Sequence, residues 1–335
     1  MKFLFIGGTG VISSACSDLA IERGHELFLL NRSVSTKYPA LKHATILQAD
    51  IHADPQYLSA LLAGHRFDAV VDFIAFSPQD IERDISLFRD KTDQFVFISS
   101  ASAYQKPVQN YLITEETPLE NPFWEYSRNK IACEDLLMKT YRADGFPVTI
   151  IRPSHTYGPS QIPLCLTSWR HPWTIIDRMQ RGQKIIIPGD GTSLWVLTWH
   201  ADFAKGLVGL LGEKNAVGEV FQITSDQVLN WNQIYLEVYQ ALGQARNVVY
   251  IPSDFIARFD SEAVGSLIGD KSNSVVFDNS KIKKYVPDYR CEVTWADGLR
   301  RSLAWFESHP EFQTIDMESN LIWDKIIAGY EKPFS

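Results

Sequence analysis

The chain has 335 residues, of which 45% are hydrophobic and 21% charged, and its formal net charge is -8 at pH 7. This length allows two lobes with separate cores, and the composition is that of an ordinary globular protein. The acidic balance argues against a nucleic-acid or anionic-membrane partner, because the chain has no excess of positive charge to neutralise many phosphates. We therefore expect no nucleic-acid partner and no membrane partner.

The four cysteines, Cys16, Cys133, Cys165 and Cys291, are far apart and form no CxxC pair. This spacing predicts neither a disulfide framework nor a metal site. The N-terminal apolar run FLFI is too short for a signal sequence, and no apolar stretch is long enough to cross a bilayer. We expect a cytoplasmic protein.

The first half of the chain alternates strand-like and helix-like segments. The strand-like runs are KFLFIGG, HELFLLNR, ATILQAD, FDAVVDFIA, QFVFISS and VTIIRP. Fully apolar strands joined by helices predict an α/β fold in which a parallel sheet is covered on both faces.

The second half begins with a Pro- and Trp-rich segment, SHTYGPSQIPLCLTSWRHPW, which predicts loops over a cleft. The run KIIIPGDGTSLWVLTW predicts strand, turn and strand, and EVFQITS predicts a strand that returns to the main sheet. The predicted first domain covers residues 1–160, with its sheet completed by about 195–225. Residues 161–194 and 226–335 would form a smaller, interleaved α/β lobe that binds the substrate.

The stretch GGTGVISS places Gly7 and Gly10 between a strand and a helix, with Ser13 where a third glycine is expected. Early glycines permit a tight turn and let the backbone approach a pyrophosphate, and the helix N-terminus offers free N–H groups. The third position serves helix–strand packing, so Ser13 weakens the pattern without abolishing it. Taken alone, the turn is equally consistent with a plain strand–helix connection.

The second strand ends at Asn31-Arg32, without the acid that would hold the ribose hydroxyl of NAD. Arg32 could face a 2′-phosphate, which favours NADP, or it could be a solvated loop residue. Asp50, after the third strand, is placed to meet the adenine amino group, and its alternative role is to cap the next helix.

A candidate catalytic set follows the fifth strand. The serines of FVFISSASAY lie at the edge where parallel sheets bind ligands, and Tyr126 and Lys130 form a YxxxK pair on one helix face. A nearby ammonium, together with the positive nicotinamide of an oxidised cofactor, favours the phenolate and lowers the tyrosine pKa, and a serine hydroxyl would orient a substrate oxygen. Such tyrosine–lysine pairs also occur on protein surfaces, and serines after a strand also occur in turns. The evidence for a catalytic set is therefore the order of these motifs along the chain.

In that order the motifs resemble those of extended short-chain dehydrogenase/reductases of the NAD-dependent epimerase/dehydratase superfamily. The motifs are GGTGVIS, VFISSASAY, YSRNK, IIRPSHTYGP, PGDGTS, HADFA and EVFQITS. The resemblance implies a Rossmann-type doubly wound sheet and the catalytic residues Ser100, Tyr126 and Lys130. The residues expected to bind NAD or NADP are Gly7, Thr9, Gly10, Val11, Ile12, Asn31, Arg32, Asp50, Ile51, Ala75, Ser99, Tyr126, Lys130, Pro153 and Ser154.

Two departures from the family pattern narrow the chemistry. The Asp-Glu pair that follows the catalytic threonine in sugar 4,6-dehydratases is replaced by Ala101-Ser102, which argues against water elimination. The arginine that holds a diphosphate after the PGDG-type turn is absent from the run Thr192–Trp195, which puts a nucleotide-diphosphate sugar in doubt.

Tyr104, His155 and Trp195 are the substrate-side candidates. Trp169, Trp173 and Trp199 also fall near the predicted cleft, although tryptophans in such segments more often pack in a core. We expect His200, which precedes a helix, to be a structural histidine.

The prediction is an NAD(P)-dependent oxidoreductase or epimerase that acts on a hydroxyl or keto carbon of a sugar-like molecule. One alternative is an NADPH-dependent reductase of a flat apolar carbonyl compound, and another is a non-catalytic relative that senses cofactor or associates with RNA. The resemblance also implies a homodimer built from helices around residues 80–90 and 126–143.

Overall fold

The structure, a computed structural model, describes residues 1–34, 37–38 and 43–332. Its strands are β1 Lys2–Ile6, β2 Glu26–Asn31, β3 Thr45–Gln48, β4 Ala69–Asp72, β5 Phe95–Ile98, β6 Leu112–Ile113, β7 Val148–Pro153, β8 His155–Tyr157, β9 Ile185–Pro188, β10 Leu194–Trp199, β11 Val220–Ile223, β12 Val228–Asn230, β13 Val248–Ile251 and β14 Val276–Phe277.

The α-helices are α1 Val11–Glu22, α2 Pro55–Leu61, α3 Pro78–Phe88, α4 Glu125–Asp144, α5 Trp173–Gln180, α6 His200–Leu210, α7 Trp231–Leu242, α8 Ser253–Ile256, α9 Ser280–Tyr285, α10 Trp295–Ser308 and α11 Met317–Glu331. A π-helix covers Val264–Lys271. No helix in the described part of the chain combines the length and apolarity needed to cross a membrane.

The main sheet has seven strands in the order β3-β2-β1-β4-β5-β7-β11, and every neighbouring pair is parallel. The predicted α/β fold with a large parallel sheet is confirmed, and EVFQITS returns to it as β11. The chain leaves β1 towards β2 and later returns on the other side as β4. This change of direction opens a crevice at the carboxyl ends of β1 and β4, where such sheets bind ligands.

Both faces of the sheet are buried, which explains its continuous apolar strands. On β1, Phe3 and Phe5 face one core together with α1 and α6, whereas Leu4 and Ile6 face the other together with α2, α3 and α4. All four side chains are fully buried.

Three small sheets accompany the main one: β8-β10-β12, β9-β13 and β6-β14. The predicted strand–turn–strand from 184 to 199 is present as β9 and β10, but the two strands join different sheets. A third core lies largely in the second half of the chain, where Trp231 and Trp295 are its largest buried side chains.

Helix α4 carries the YxxxK pair and ends at Gly145, which has the left-handed φ of 72° that a helix C-terminus favours. Cys133 and Leu137 on this helix are fully buried in the core of the sheet. These apolar positions therefore pack within the chain. The homodimer through α3 and α4 stays a prediction.

A buried ion pair fixes α4 against β7. Arg152 Nη2 donates to Glu134 Oε2 at 2.6 Å and Arg152 Nε to Glu134 Oε1 at 3.0 Å, with both side chains about 95% covered. The Ser99 hydroxyl also donates to this carboxylate, and the Arg152 guanidinium lies 4.8 Å from the Tyr104 ring centroid. The pair sets the distance between the helix that bears Tyr126 and the strand ends beside it.

We expect Glu134→Gln to lower the free energy of unfolding by about 3–5 kcal/mol, because it leaves the Arg152 charge buried without a counter-charge. Asp144→Asn on the same helix removes the exposed Arg89–Asp144 pair, whose closest atoms lie 3.4 Å apart, and should cost at most about 1 kcal/mol. Urea unfolding of both variants measures the difference. Equal losses would show that the buried pair has no special role in holding α4.

Candidate active site

The glycine turn lies at the N-terminus of α1 and is tightly closed. Gly7 has a φ of +103°, and its N–H donates to Leu30 O at 3.0 Å. A Cβ added to Gly8 would lie 2.5 Å from Leu29 Cδ2, so only glycine fits beside β2. The Asn31 side-chain amide donates to Gly7 O at 3.2 Å and ties the turn to the end of that strand.

A cleft of about 680 Å³ opens in front of this turn. It is lined by most of the residues predicted to bind the dinucleotide: Gly7, Thr9, Gly10, Val11, Ile12, Asn31, Arg32, Asp50 and Ile51. Its size, its glycine-lined wall and the helix N-terminus fit a dinucleotide with its pyrophosphate at α1.

Ser13 has a different role from the packing role predicted for it. Its hydroxyl accepts a hydrogen bond from the Gly10 N–H at 2.8 Å, and the side chain is 3% exposed. The serine therefore occupies one backbone donor at the helix start. The neighbouring Ser14 hydroxyl donates to Val11 O at 3.3 Å and engages no N–H of the turn.

Arg32 and Asp50 face each other at the far end of the cleft. Their closest charged atoms are 3.9 Å apart, and the two side chains are 67% and 43% exposed. Asp50 accepts from the His52 N–H, whereas the cap of α2 is Asp54, which accepts from the N–H groups of Gln56 and Tyr57. The alternative role of Asp50 as a helix cap is thereby excluded.

Lys130 reaches from α4 to the carboxyl edge of the sheet. Its ammonium donates to Ala75 O at 2.7 Å and to Ile98 O at 2.8 Å, and it lies 4.5 Å from the Phe76 ring centroid. Burial lowers the pKa of Lys130 to about 8. The predicted contact residue Ala75 thus meets Lys130 through its carbonyl, while its neighbours Ile74 and Phe76 line the cleft in front of the glycine turn.

Tyr126 and Ser100 share one pocket wall. Burial raises the pKa of Tyr126, the Ser100 hydroxyl opposes this, and the Asp270 carboxylate raises it further. Burial is the main cause of this rise, and the Lys130 ammonium lies 5.8 Å from the Tyr126 ring centroid. The lowered pKa expected with a bound oxidised cofactor stays a prediction.

A chain of hydroxyl groups supports Ser100. The Ser127 hydroxyl donates to Ser102 Oγ at 2.8 Å, and Ser102 Oγ lies 2.9 Å from Ser100 Oγ. Ser102 and Ser127 are buried, and Ser127 directly follows Tyr126 in the chain. Hence α4 orients both the tyrosine and, through this chain, the serine opposite it.

A second pocket, of about 290 Å³, adjoins these groups. We call it the substrate pocket; its lining includes Ser100, Ser102, Lys106, Trp124, Tyr126, Pro153, Ser154, His155, Trp169, Trp195, Asp270 and Lys271. The predicted residues Pro153, Ser154, His155 and Trp195 thus meet Ser100 and Tyr126 here.

Four candidates lie away from this pocket. Tyr104 is 1% exposed, because its ring packs on Arg152 behind the site. Its hydroxyl donates to Gln222 Oε1 at 3.0 Å. Ser99 is buried against Glu134. Trp173 and Trp199 belong to the hydrophobic core.

The two candidate histidines have different surroundings. His155 lines the substrate pocket, and its Nδ1 accepts from the Trp195 indole N–H at 3.2 Å. His200 Nδ1 lies 2.9 Å from Val11 O and joins α6 to the first turn of α1, in keeping with a structural histidine. Burial lowers the pKa of both rings.

Sequence reasoning missed three charged residues of the substrate pocket: Lys106, Asp270 and Lys271. Lys106 follows the fifth strand by eight residues, and the other two end the π-helix of the second lobe. No local motif marks them, since only packing of the π-helix against the loops after β5 places them beside Tyr126.

The family model of the NAD-dependent epimerase/dehydratase family matches residues 3–224. The chain therefore belongs to this family.

Two relatives and one solved structure show what kind of proteins are similar. The trifunctional UDP-glucose 4,6-dehydratase/UDP-4-keto-6-deoxy-D-glucose 3,5-epimerase/UDP-4-keto-L-rhamnose-reductase of Arabidopsis thaliana is 26% identical over 65% of this chain, which spans 30% of that protein. The chloroplast stem-loop binding protein of 41 kDa b from the same plant is 24% identical over 76% of this chain and 67% of its own length.

The structure of UDP-glucuronic acid 4-epimerase from Bacillus cereus, in complex with UDP-glucuronic acid and NAD, superimposes with a TM-score of 0.73. The two are 20% identical, and the match covers 92% of this chain and 100% of that one. At this identity the likeness shows the fold.

We expect Ser13→Ala to destabilise the protein without cofactor by about 0.5–1.5 kcal/mol, because the Gly10 N–H loses its acceptor. Saturating NAD should then raise the unfolding temperature more than in the unchanged protein, since the freed N–H faces the pyrophosphate site. Ser14→Ala is the matched control and should leave the NAD-induced shift unchanged. Thermal unfolding with and without NAD measures the shifts; a smaller shift for Ser13→Ala would contradict the expectation.

Proposed function

We propose that this protein is an NAD(P)-dependent oxidoreductase or epimerase that acts on a hydroxyl or keto carbon of a sugar-like small molecule. The observation that carries the proposal is the meeting of Ser100 and Tyr126 in one small pocket, with Lys130 behind them at the edge of the cofactor cleft. Family membership and the relatives named above support it.

In this proposal Tyr126 exchanges a proton with the substrate oxygen, and Ser100 holds that oxygen by a hydrogen bond. The hydroxyl chain through Ser102 fixes the direction of the Ser100 Oγ lone pairs. The positive charge of Lys130, together with that of a bound oxidised nicotinamide, would favour the phenolate of Tyr126. A bound nicotinamide dinucleotide would exchange a hydride with the substrate carbon that carries this oxygen.

The cofactor is a nicotinamide dinucleotide held by the cleft residues already described. NAD is favoured by family membership and by its presence in the solved relative, while Arg32 favours the 2′-phosphate of NADP. Asp50, whose carboxylate lies 3.9 Å from the Arg32 guanidinium, would repel that phosphate. The balance of these two residues decides the choice.

Two other reactions are less well supported. A flat apolar carbonyl substrate fits poorly in a pocket that contains Lys106, Asp270 and Lys271, because their charges would lose water without compensation. Dehydratases are among the relatives, so family membership leaves elimination open. The replacement of the usual acid pair by Ala101-Ser102 is the argument against it, since the buried Ser102 carries no carboxylate.

The similarity to a chloroplast stem-loop binding protein keeps RNA association as the second candidate function. The net charge of -8 is an argument against RNA association, because contacts with the RNA phosphates need a basic surface. A shift assay at low salt separates the two: salt-dependent RNA binding together with loss of cofactor binding would favour the second candidate.

We expect Tyr126→Phe to lower turnover by at least about 100-fold while cofactor binding survives, because the proton-transfer group is lost but the cleft is unchanged. The substrate is identified beforehand by mass spectrometry of the small molecules that purified protein releases. Tyr111→Phe, at an exposed site, is the control and should retain full turnover. Undiminished turnover of Tyr126→Phe would overturn the assignment. Cofactor that stays bound through turnover indicates an epimerase, and consumed cofactor indicates a reductase.

We expect Arg32→Ala to lower the affinity for NADPH about tenfold relative to NADH, and Asp50→Asn to raise it, because the two charges act on a 2′-phosphate with opposite sign. Fluorescence titration with both reduced cofactors gives the ratio. If neither substitution changes the ratio of the affinities for NADPH and NADH, this pair does not discriminate between the two cofactors.

A further inference from the structure

The substrate pocket contains more positive than negative charge. Lys106 and Lys271 are 2% and 3% exposed, and the one acidic side chain among the described lining residues is Asp270. Both ammonium groups act on Asp270 and lower its pKa, although its burial raises it more strongly. With His155 neutral, the lining carries a surplus of one positive charge.

The Lys106 ammonium is available to a ligand. No described residue accepts a hydrogen bond from its ammonium or forms an ion pair with it, and burial lowers its pKa while Asp270 raises it. Its Nζ is not among the fully buried atoms that lack a hydrogen-bond partner, so the ammonium is reached from the pocket that its side chain lines. An ammonium that is open to the pocket and has unused N–H donors can bind an anionic group there.

The Lys271 ammonium also has N–H donors that bind no described residue. Its ammonium donates a long hydrogen bond of 3.3 Å to Ser266 O and lies 5.3 Å from the Trp169 ring centroid. An ammonium has three N–H donors, so at least one remains for a ligand in the pocket. Trp169 lines the same pocket and is 55% exposed.

His155 adds a neutral donor. The Trp195 indole N–H only donates, so His155 Nδ1 must accept and the ring proton lies on Nε2. Burial and the charge of Lys271 hold the pKa of His155 well below its usual range, which keeps the ring neutral. The Nε2 atom is buried and has no hydrogen-bond partner among the described residues.

We propose that the substrate carries a carboxylate, as in a sugar acid, and that Lys106, Lys271 and His155 Nε2–H bind it beside the reacting carbon. Asp270 accepts hydrogen bonds from substrate hydroxyl groups. This names the substrate class for the proposed function and rests on that function.

The size of the pocket favours a carboxylate over a nucleotide diphosphate. Its volume of about 290 Å³ is near the lower limit of roughly 300 Å³ for small-molecule sites, which is room for one sugar ring. The cations line the same space as Ser100 and Tyr126, so the anion they hold belongs to the reacting ring. Trp195 stands in the run that lacks the diphosphate-binding arginine.

The test is calorimetric titration of the NAD-loaded Tyr126→Phe variant, in which turnover is arrested. The probes are D-glucuronate and D-galacturonate, with D-glucose and D-galactose as neutral counterparts, and UDP-glucuronic acid beside UDP-glucose. At least one acid should bind at least about tenfold tighter than its neutral counterpart. Added Lys106→Met or Lys271→Met should remove most of that preference, whereas Lys214→Met, at an exposed site, should leave it intact.

Acids that bind no better than neutral sugars, or a preference that survives both lysine substitutions, would overturn the proposal. UDP-glucose that binds as tightly as UDP-glucuronic acid and weakens equally in the lysine variants would assign the cations to a diphosphate instead, which also overturns it. Thermal unfolding confirms that each variant is folded. NAD binding and the Tyr126→Phe loss of turnover are measured separately. If acids are not preferred but both of these results are as expected, the carboxylate proposal fails and the proposed function does not.

Discussion

The position of the Lys130 ammonium is the constraint on which the site depends. It is held between the carbonyl of Ala75, after β4, and the carbonyl of Ile98, at the end of β5. One side chain from α4 thereby fixes the helix to two neighbouring strand ends at the crevice of the sheet. Tyr126, one turn earlier on the helix, lines the substrate pocket.

Burial has two consequences around this point. Where charges are paired, as in Arg152 and Glu134, burial strengthens the frame that holds α4. Where an ammonium on a buried side chain has no hydrogen-bond acceptor among the described residues, as at Lys106, it can bind an anionic ligand. The same low-polarity environment raises the pKa of Tyr126, so the positive charge of a bound oxidised nicotinamide would be needed to make it a base. In the proposed function, cofactor binding and proton transfer would be coupled in this way.

The glycine turn shows how a departure from a family pattern is accommodated. Gly7 and Gly8 keep the backbone close to β2, since a side chain at Gly8 would collide with Leu29. Ser13 brings a hydroxyl that bonds to a backbone donor at the helix start. The turn thus retains its shape while one of its N–H groups acquires a partner within the chain.

The sequence by itself determined the parallel sheet, the return of β11 and the order of the cofactor and catalytic motifs, because apolar periodicity and short motifs are local properties. It also placed Ser100, Tyr126 and Lys130 together, since strand ends share an edge and an i,i+4 pair shares a helix face. Only the tertiary structure decided that Tyr104 packs behind the site, that Asp54 and not Asp50 caps α2, and that Lys106, Asp270 and Lys271 line the substrate pocket. Lys106 and Lys271 are 165 positions apart, and no local pattern records which distant segments will pack against each other.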